Sequence, residues 1–398
     1  MIRHILKLVW NRKRSNFLLV LEMAISFLVL FAVAALGLYC LDGYRQPLGF
    51  DWQNVSNVRL GPPGPQGEWG PGQEESIRQI LIAARSLPEV EHAATVTAGP
   101  FSTSTDISRQ GPTGGRALEF ETIQVGDAFQ QVMKVPIVEG RWFSAEDDGA
   151  SYRPVIINRR LAREAFGEAS PLGKPLVQPD EGEKELRVVG VITDFRKNGE
   201  LTSPHNFLIY RANPHTPTWH ASENLLVRFR PGSPRDAEAR VVAAIQAVAR
   251  DWSFEIRPLS ETRAIANQMR LAPLLAAILV ATFLIVMVAL GLTGVLWQNV
   301  TQRTKEIGLR RAKGATARDI QKQILGELAV LASAGIVLGG LIAIQFPLLA
   351  LVGTVPTGMV VGSLGVSVAL LYGLTLLCGA YPSRMASRIT PAEALHYE

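Results

Sequence analysis

Cysteine is nearly missing from this chain: Cys40 and Cys378 are the two in 398 residues, and each lies in or beside a long apolar run. That argues against a disulfide framework, so any domain outside those runs must rely on its own core. The signatures of bond-making chemistry are missing as well, with no GxSxG, HExxH or CxxC anywhere. The stretch 167–175, GEASPLGKP, superficially looks like a phosphate loop. Its first glycine comes one residue too early, and Pro175 stands where the magnesium-binding Ser or Thr belongs. His205, His215 and His220 share one loop without paired cysteines or helical i,i+4 spacing, so they read as surface histidines, not a zinc site. Asp147-Asp148 and the acidic run 181–185 read as solvated turns. No catalytic constellation stands out. A membrane-anchored enzyme is therefore disfavoured, and no metal or cofactor is expected on this chain.

What the chain has in abundance is apolar length: 47% of its residues are hydrophobic and its mean hydropathy is +0.16. Residues 17–41 are apolar apart from Glu22 and Ser26; 271–297 carry no charge, 324–352 carry only Glu327, and 357–381 carry none. Each run exceeds the roughly 20 residues that a bilayer core demands of a helix. Ala32-Val33-Ala34 resembles a signal cleavage site. The apolar run is longer than the roughly 7–15 residues of a signal core, which favours an uncleaved helix. Tyr39 before Cys40 is too bulky for lipoprotein processing.

Charge sets the expected orientation. Residues 1–16 carry Arg3, Lys7, Arg12, Lys13 and Arg14 without an acid, and 298–323 carry seven Lys/Arg against Glu306 and Asp319. Residues 42–270 carry 26 Lys/Arg and 29 Asp/Glu, so the net charge of +5 comes from the other side. Both termini and the basic loop are expected inside, with the large segment outside. The basic balance reports topology and not a nucleic-acid partner.

Residues 42–270 read as a mixed α/β domain. A strand at 55–60, an amphipathic helix at 74–87 (Ile77, Ile80, Leu81, Ala84 and Leu87 on one face) and a strand at 90–96 form a β–α–β unit. A second unit closes the segment: strand 225–229, helix 234–249, strand 254–258. Two such units flanking an insertion imply one split α/β subdomain. The insertion, about 117–210, is read as a second subdomain with strands at 119–125, 155–158, 186–193 and 207–210 and a helix at 158–166. Residues 61–72 place glycine at every third position, yet too few triplets follow for a collagen helix, so an extended loop is expected. A helix from 259 is expected to run unbroken into the second apolar run.

The basic loop is the most patterned stretch. Gly314 follows Arg310, Arg311 and Lys313, as at a helix C-terminus, and Thr316 with Asp319 reads as the cap of a new helix. Such a helix–break–helix suits a docking element for another protein; the alternative is a loop that only fixes topology. Trp10 and residues 12–14 suit the inner interface. Glu22 lies near that interface, where it could snorkel, pair with Arg310 or Arg311, or relay protons. Gly335-x-x-x-Gly339 and Gly358-x-x-x-Gly362 suggest close helix packing, within the chain more than across a dimer seam.

Several of these motifs coincide in one family. Residues 303–316 (RTKEIGLRRAKGAT) with Glu327, and 381–395 in the tail, resemble FtsX-like ABC transporter permeases of the MacB type (type VII fold). Residues 138–143 (VEGRWF), 154–158, 171–174 and 188–194 (VVGVITD) are similar to the MacB-like periplasmic core. The resemblance covers nearly the whole chain. It implies a cytoplasmic N-terminus (1–16), membrane helices at 17–41, 271–298, 324–352 and 357–381, and a periplasmic core at 42–270. It further implies a coupling region at 299–323, a tail at 382–398 and an FtsX-like permease domain over 271–390. The periplasmic core would be a porter-like subdomain with an inserted mixed α/β subdomain, the whole sitting in a bacterial inner membrane. Glu306, Ile307, Arg310, Arg311, Gly314 and Thr316 would contact a separate ATP-binding subunit, which holds ATP and magnesium. A second permease completes the dimer, and a periplasmic adaptor and outer-membrane channel are further expected partners. In such proteins ATP-driven closure moves the periplasmic domains, a mechanism called mechanotransmission, in export or efflux. This chain shows no fused ATPase, and Lys313 stands where the family often has an apolar residue. The competing expectation is a regulatory transducer of the same build, acting on a cell-wall hydrolase or a peptide sensor without moving a substrate.

Overall fold

The computed structural model describes residues 13–64, 72–102, 104–110, 117–177, 184–212, 224–348 and 357–387. Most of the Gly-Pro loop, His215, His220, the N-terminal twelve residues and the tail beyond 387 lie outside these. The chain divides into two compact units: residues 42–270, and residues 1–41 with 271–398.

The larger unit is built on a sheet whose strands are β1 (Val55–Gly61), β2 (Val90–Val96), β3 (Ile107–Gln110), β4 (Leu118–Val125), β5 (Ile137–Gly140), β6 (Arg153–Asn158), β7 (Pro175–Val177), β8 (Leu186–Ile192), β9 (Phe207–Arg211), β10 (Asn224–Phe229) and β11 (Ser253–Pro258). Their order is β11-β1-β10-β2-β4-β9-β6-β8-β5, with β3 on β4 and β7 on β8. In the first four strands the two β–α–β units interlock. β10 lies antiparallel between β1 and β2, and β11 flanks β1. This is the split β–α–β arrangement. Helices Gln73–Arg85 and Ala237–Val248 cover one face of it. Ile77, Ile80 and Ala84 of the first, with Val241 and Ile245 of the second, meet Val58, Leu60, Ala93 and Val227 in one core.

The inserted strands continue the same sheet through a single register pair, Val96 with Val125. β4–β9 and β6–β8 are parallel, while β9–β6 and β8–β5 are antiparallel. Helix Arg159–Phe166 starts at Asn158, whose side chain accepts from Leu161 N, and it packs Leu161 and Ala162 on Val155, Ile157, Val188 and Leu208. The insertion reaches further back than 117. β3 at 107–110 pairs with β4, and its polar ISRQ sequence carries no strand pattern. β5, β7 and the five-residue helix Phe129–Met133 likewise have no counterpart in the sequence pattern, because elements this short leave no period.

Among the described residues four helices are long and apolar enough to cross a membrane: Phe17–Arg45 within helix Lys13–Arg45, Leu259–Gln302, Ala317–Gln345 within Ala317–Leu348, and Thr357–Ala386 within Thr357–Ser387. The second runs through Pro273 and starts at 259, as the sequence pattern predicts. Gly335 and Gly339 meet the first helix. A Cβ on Gly335 would lie 2.6 Å from Met23 Cβ, and one on Gly339 would lie 2.8 Å from Phe27 Cδ1. This contact is within the chain, and the missing side chains let the two backbones approach.

Candidate functional site

The basic loop folds as two helices around a tight break. Helix Thr304–Ala312 ends at Lys313, and Gly314 takes a left-handed φ of 96°. Ala315 N donates to Arg310 O at 3.0 Å and Gly314 N to Arg311 O at 3.1 Å, the paired bonds of a Schellman motif. The next helix opens with a reciprocal cap. Thr316 N donates to Asp319 Oδ2 at 3.0 Å, and Asp319 N donates to Thr316 Oγ1 at 3.3 Å. Asp thus does the work that Glu or Gln performs in the usual capping box. Gly314 and Thr316 therefore shape the turn.

Ile307 faces inward. With Ile320 and Ala386 it forms a small core that Val300, Ala315 and Ile324 adjoin, so it fixes the short helix to the membrane helices. Glu306 is exposed and pairs with Arg310 at 2.5 Å, an i,i+4 pair, and Arg310 also donates to Gln323 Oε1. Gln323 Nε2 in turn donates to Glu327 Oε1 at 3.2 Å. Glu327 also accepts two bonds from one nitrogen of Arg303, at 3.0 and 2.9 Å. The single acid of the third apolar run thus holds the one residue between helix Leu259–Gln302 and helix Thr304–Ala312. A polar chain from Glu306 to Arg303 ties the loop to the membrane helix below it. Charge-assisted bonds of this kind are roughly twice as strong as neutral ones.

Arg303 and Gln323 were not singled out from the sequence. An acid within a membrane helix calls for a partner, but Lys322 is nearer to Glu327 along the chain than Arg303, 24 residues away, so the sequence alone does not pick Arg303 out. Leu309 is the other omission. It is 58% exposed between Gly308 and Arg310, an apolar tip on a charged helix, with Lys305, Lys313, Arg318 and Lys322 also exposed around the loop. Arg311 is half-buried.

Glu22 is not brought to this loop's arginines. Its carboxylate faces the second membrane helix, where a Cβ on Gly291 would lie 3.1 Å from Glu22 Oε2, while Arg310 is taken by Glu306. Two readings for the larger unit also need correction. Asp147 is buried and binds Arg141, so it is no solvated turn residue, while Asp148 is exposed as expected and pairs with Arg211 at 2.6 Å. His205 is not a plain surface histidine: its Nε2 meets the carboxylate of Glu121, itself only 2% exposed. Among the described residues no group of three or more His, Cys, Asp or Glu could hold a metal ion.

Comparison with known proteins places these features. The family model of the MacB-like periplasmic core domain matches residues 17–247, and that of the FtsX-like permease C-terminal region matches 278–391. A macrolide export ATP-binding/permease protein MacB from Bdellovibrio bacteriovorus is 28% identical over 418 residues, covering 98% of this chain and 60% of that protein. The pyoverdine export ATP-binding/permease protein PvdT of Pseudomonas aeruginosa is 22% identical, covering 99% of this chain and 58% of its own length. The crystal structure of the periplasmic region of MacB from Actinobacillus actinomycetemcomitans is similar at a TM-score of 0.38 and 15% identity, over 56% of this chain and 94% of that one. The chain spans about three-fifths of the length of these curated relatives. With one model covering more than half of it and the second covering most of the remainder, the chain belongs to the MacB/FtsX-like ABC transporter permeases.

Proposed function

We propose that this chain is the permease subunit of an export-type ABC transporter, docked through the loop 301–323 on a separate ATP-binding subunit. ATP hydrolysis there would move the 42–270 unit. The observation that carries the reading is the loop itself: a capped helix–break–helix, braced from below by Glu327 and Arg303, that turns Leu309 and several lysines outward. A loop that merely fixed topology needs positive charge and nothing more. A rigid, braced helix with an exposed apolar tip suits a protein partner, since apolar anchors ringed by polar groups carry most interface energy.

The excess of Lys/Arg in 1–16 and 298–323 supports a cytoplasmic location for this loop and both termini, and a periplasmic one for the larger unit, in a bacterial inner membrane. The relatives named for macrolide and pyoverdine export favour export over a purely regulatory transducer. A second permease, and beyond it a periplasmic adaptor and an outer-membrane channel, complete the assembly. ATP and magnesium belong to the partner.

The test is co-purification of the full-length chain with its co-expressed ATP-binding subunit, wild type against Arg310→Glu/Arg311→Glu. Reversing these charges is expected to lower the recovered ATPase at least about tenfold, the equivalent of some 1.4 kcal/mol of binding. Equal recovery from both would reduce the loop to a topology signal.

A further inference from the structure

Residues 194–205, between β8 and β9, touch three parts of the larger unit at once. Arg196 is 1% exposed. Its guanidinium donates to the carbonyls of Gly43 at 2.7 Å and Gln46 at 3.1 Å, at the end of helix Lys13–Arg45, and to those of Glu200 and Thr202 at 2.5 Å each. Its backbone N donates to Leu48 O at 2.9 Å. Cations and carbonyls at a helix C-terminus attract, and burial keeps solvent from screening them. Gly43 admits no larger residue, because a Cβ there would run into the carbonyl oxygen of Glu200.

The same loop holds the first turns of helix Leu259–Gln302. Arg263 donates to Glu200 Oε1 at 2.6 Å, while its guanidinium lies 4.7 Å over the ring of Trp52, and Arg270 donates to the carbonyl of Asn198. On its other side the loop is fixed to the inserted sheet. Lys197, 1% exposed, reaches Glu121 Oε1 of β4 at 2.5 Å, and His205 meets the second oxygen of that carboxylate. Phe101 N donates to Lys197 O at 2.7 Å, and Phe101 itself holds a left-handed φ of 63° against Gly199 at 95°. A bulky residue held in that region is strained and persists only where its surroundings dictate it.

Two helix ends that continue into apolar spans are therefore gripped by one loop whose other side grips a strand of the insertion. We propose that residues 194–205 form a clasp that carries displacement of these two helix ends into the inserted sheet, with Arg196 and the Glu200–Arg263 pair as its positioning residues. The proposal rests on the permease reading above. Sliding the end of helix Lys13–Arg45 past the loop strands the buried guanidinium of Arg196, and sliding the start of helix Leu259–Gln302 breaks the bonds of Arg263 and Arg270, so the loop follows the helices instead of slipping.

The experiment uses the full chain, Cys40→Ser/Cys378→Ser, reconstituted with its ATP-binding subunit in lipid nanodiscs and spin-labelled in two ways. Labels at Tyr44→Cys and Ile265→Cys, both exposed, report the helix ends; labels at Ile82→Cys and Ile107→Cys, also exposed, report the inserted sheet against the flanking helix. ATP with vanadate is expected to change both distances in the otherwise native chain. In Arg196→Lys, the 44–265 change and the ATPase rate persist while the 82–107 change is lost. Arg263→Gln/Arg270→Gln, which leaves the buried guanidinium in place, is expected to give the same loss and decides the matter if Arg196→Lys does not fold. A full 82–107 change in these variants overturns the clasp. No 44–265 change in the otherwise native chain would overturn the permease reading instead.

Discussion

Two arginines of the 42–270 unit are used differently from two of the membrane unit. In the 42–270 unit, Arg196 and Arg228 are 1% and 2% exposed. Arg228 donates to the carbonyls of Gln53 at 2.9 Å, Asp51 at 2.6 Å and Val132 at 2.5 Å. Each of these buried cations is bound mainly by backbone oxygens, with Arg228 also reaching the Asp51 carboxylate at 3.3 Å. In the membrane unit, the side chain of Arg310 is 34% exposed and that of Arg303 18%, each paired with a carboxylate on its own or the next helix. The first kind of arginine fixes a chain path. The second braces a surface and leaves it accessible. The comparison teaches that charge count says little about role; the partner group, carbonyl or carboxylate, and the depth of burial say more.

The largest expected effect comes from removing a buried member. Arg228→Ala strands several carbonyls inside the sheet and should destabilise the 42–270 unit by about 3–5 kcal/mol. Hydrogen–deuterium exchange of the β10 peptide should rise sharply, and unchanged protection would break the distinction drawn above. Next comes the helix contact at the small residues. Gly339→Leu places atoms where Phe27 and Ala24 already stand, with a cost of roughly 1–3 kcal/mol in the thermal stability of the detergent-solubilised chain. Gly340→Ala is the control, because its nearest neighbour, Phe27 Cε1, would lie at 3.9 Å. A similar loss in both would argue against the close approach of the two helices.

Glu327→Gln sharpens the comparison on the accessible side. It leaves Arg303 with a neutral partner, should loosen helix Thr304–Ala312, and should cut partner-dependent ATPase by roughly the fivefold that about 1 kcal/mol implies. Glu327→Gln activity equal to wild type would detach the bracing from the docking.

The smallest effect concerns pH. The bond from Glu121 raises the pKa of His205 above its usual 6.5, even though burial opposes this. Burial pushes the carboxyl of Glu121 up, but His205 and Lys197 outweigh it and hold it below its usual 4.5. With the histidine raised, its contribution is present below about pH 6.5 and fades as pH climbs through the raised value. With the carboxyl lowered, its contribution is present above about 4.5 and fades in acid. Exchange protection of β4 should therefore weaken from pH 6 toward pH 9, and His205→Gln should flatten that trend. A slope unchanged by the substitution would remove His205 from the clasp.

Much of this was legible in the sequence, for identifiable reasons. Residues 90–96 and the helix face of Ile77, Ile80 and Ala84 stood out because a regular period meets a buried face. Gly314, Thr316 and Asp319 were readable because caps are local chemistry. What escaped depended on side-chain partners that no local pattern announces. Asp147 looks like any loop acid until Arg141 is seen closing on it, and Glu121 and His205 are 84 residues apart. Arg196 could not be told from a surface cation without knowing that residues 43–46 end a helix beside it. The sequential order of the two β–α–β units likewise hid their interlocking, because β10 enters between β1 and β2 only after the insertion has been completed.

The central claim is that the 301–323 loop is where an ATP-binding subunit docks. The most direct measurement is photocrosslinking with benzophenylalanine at Leu309, compared with Leu172, an exposed leucine of the other unit, in cells co-expressing that subunit. The account predicts an adduct of permease and ATP-binding subunit from position 309 and none from position 172. Adducts absent at 309, or equally strong at both positions, would contradict it.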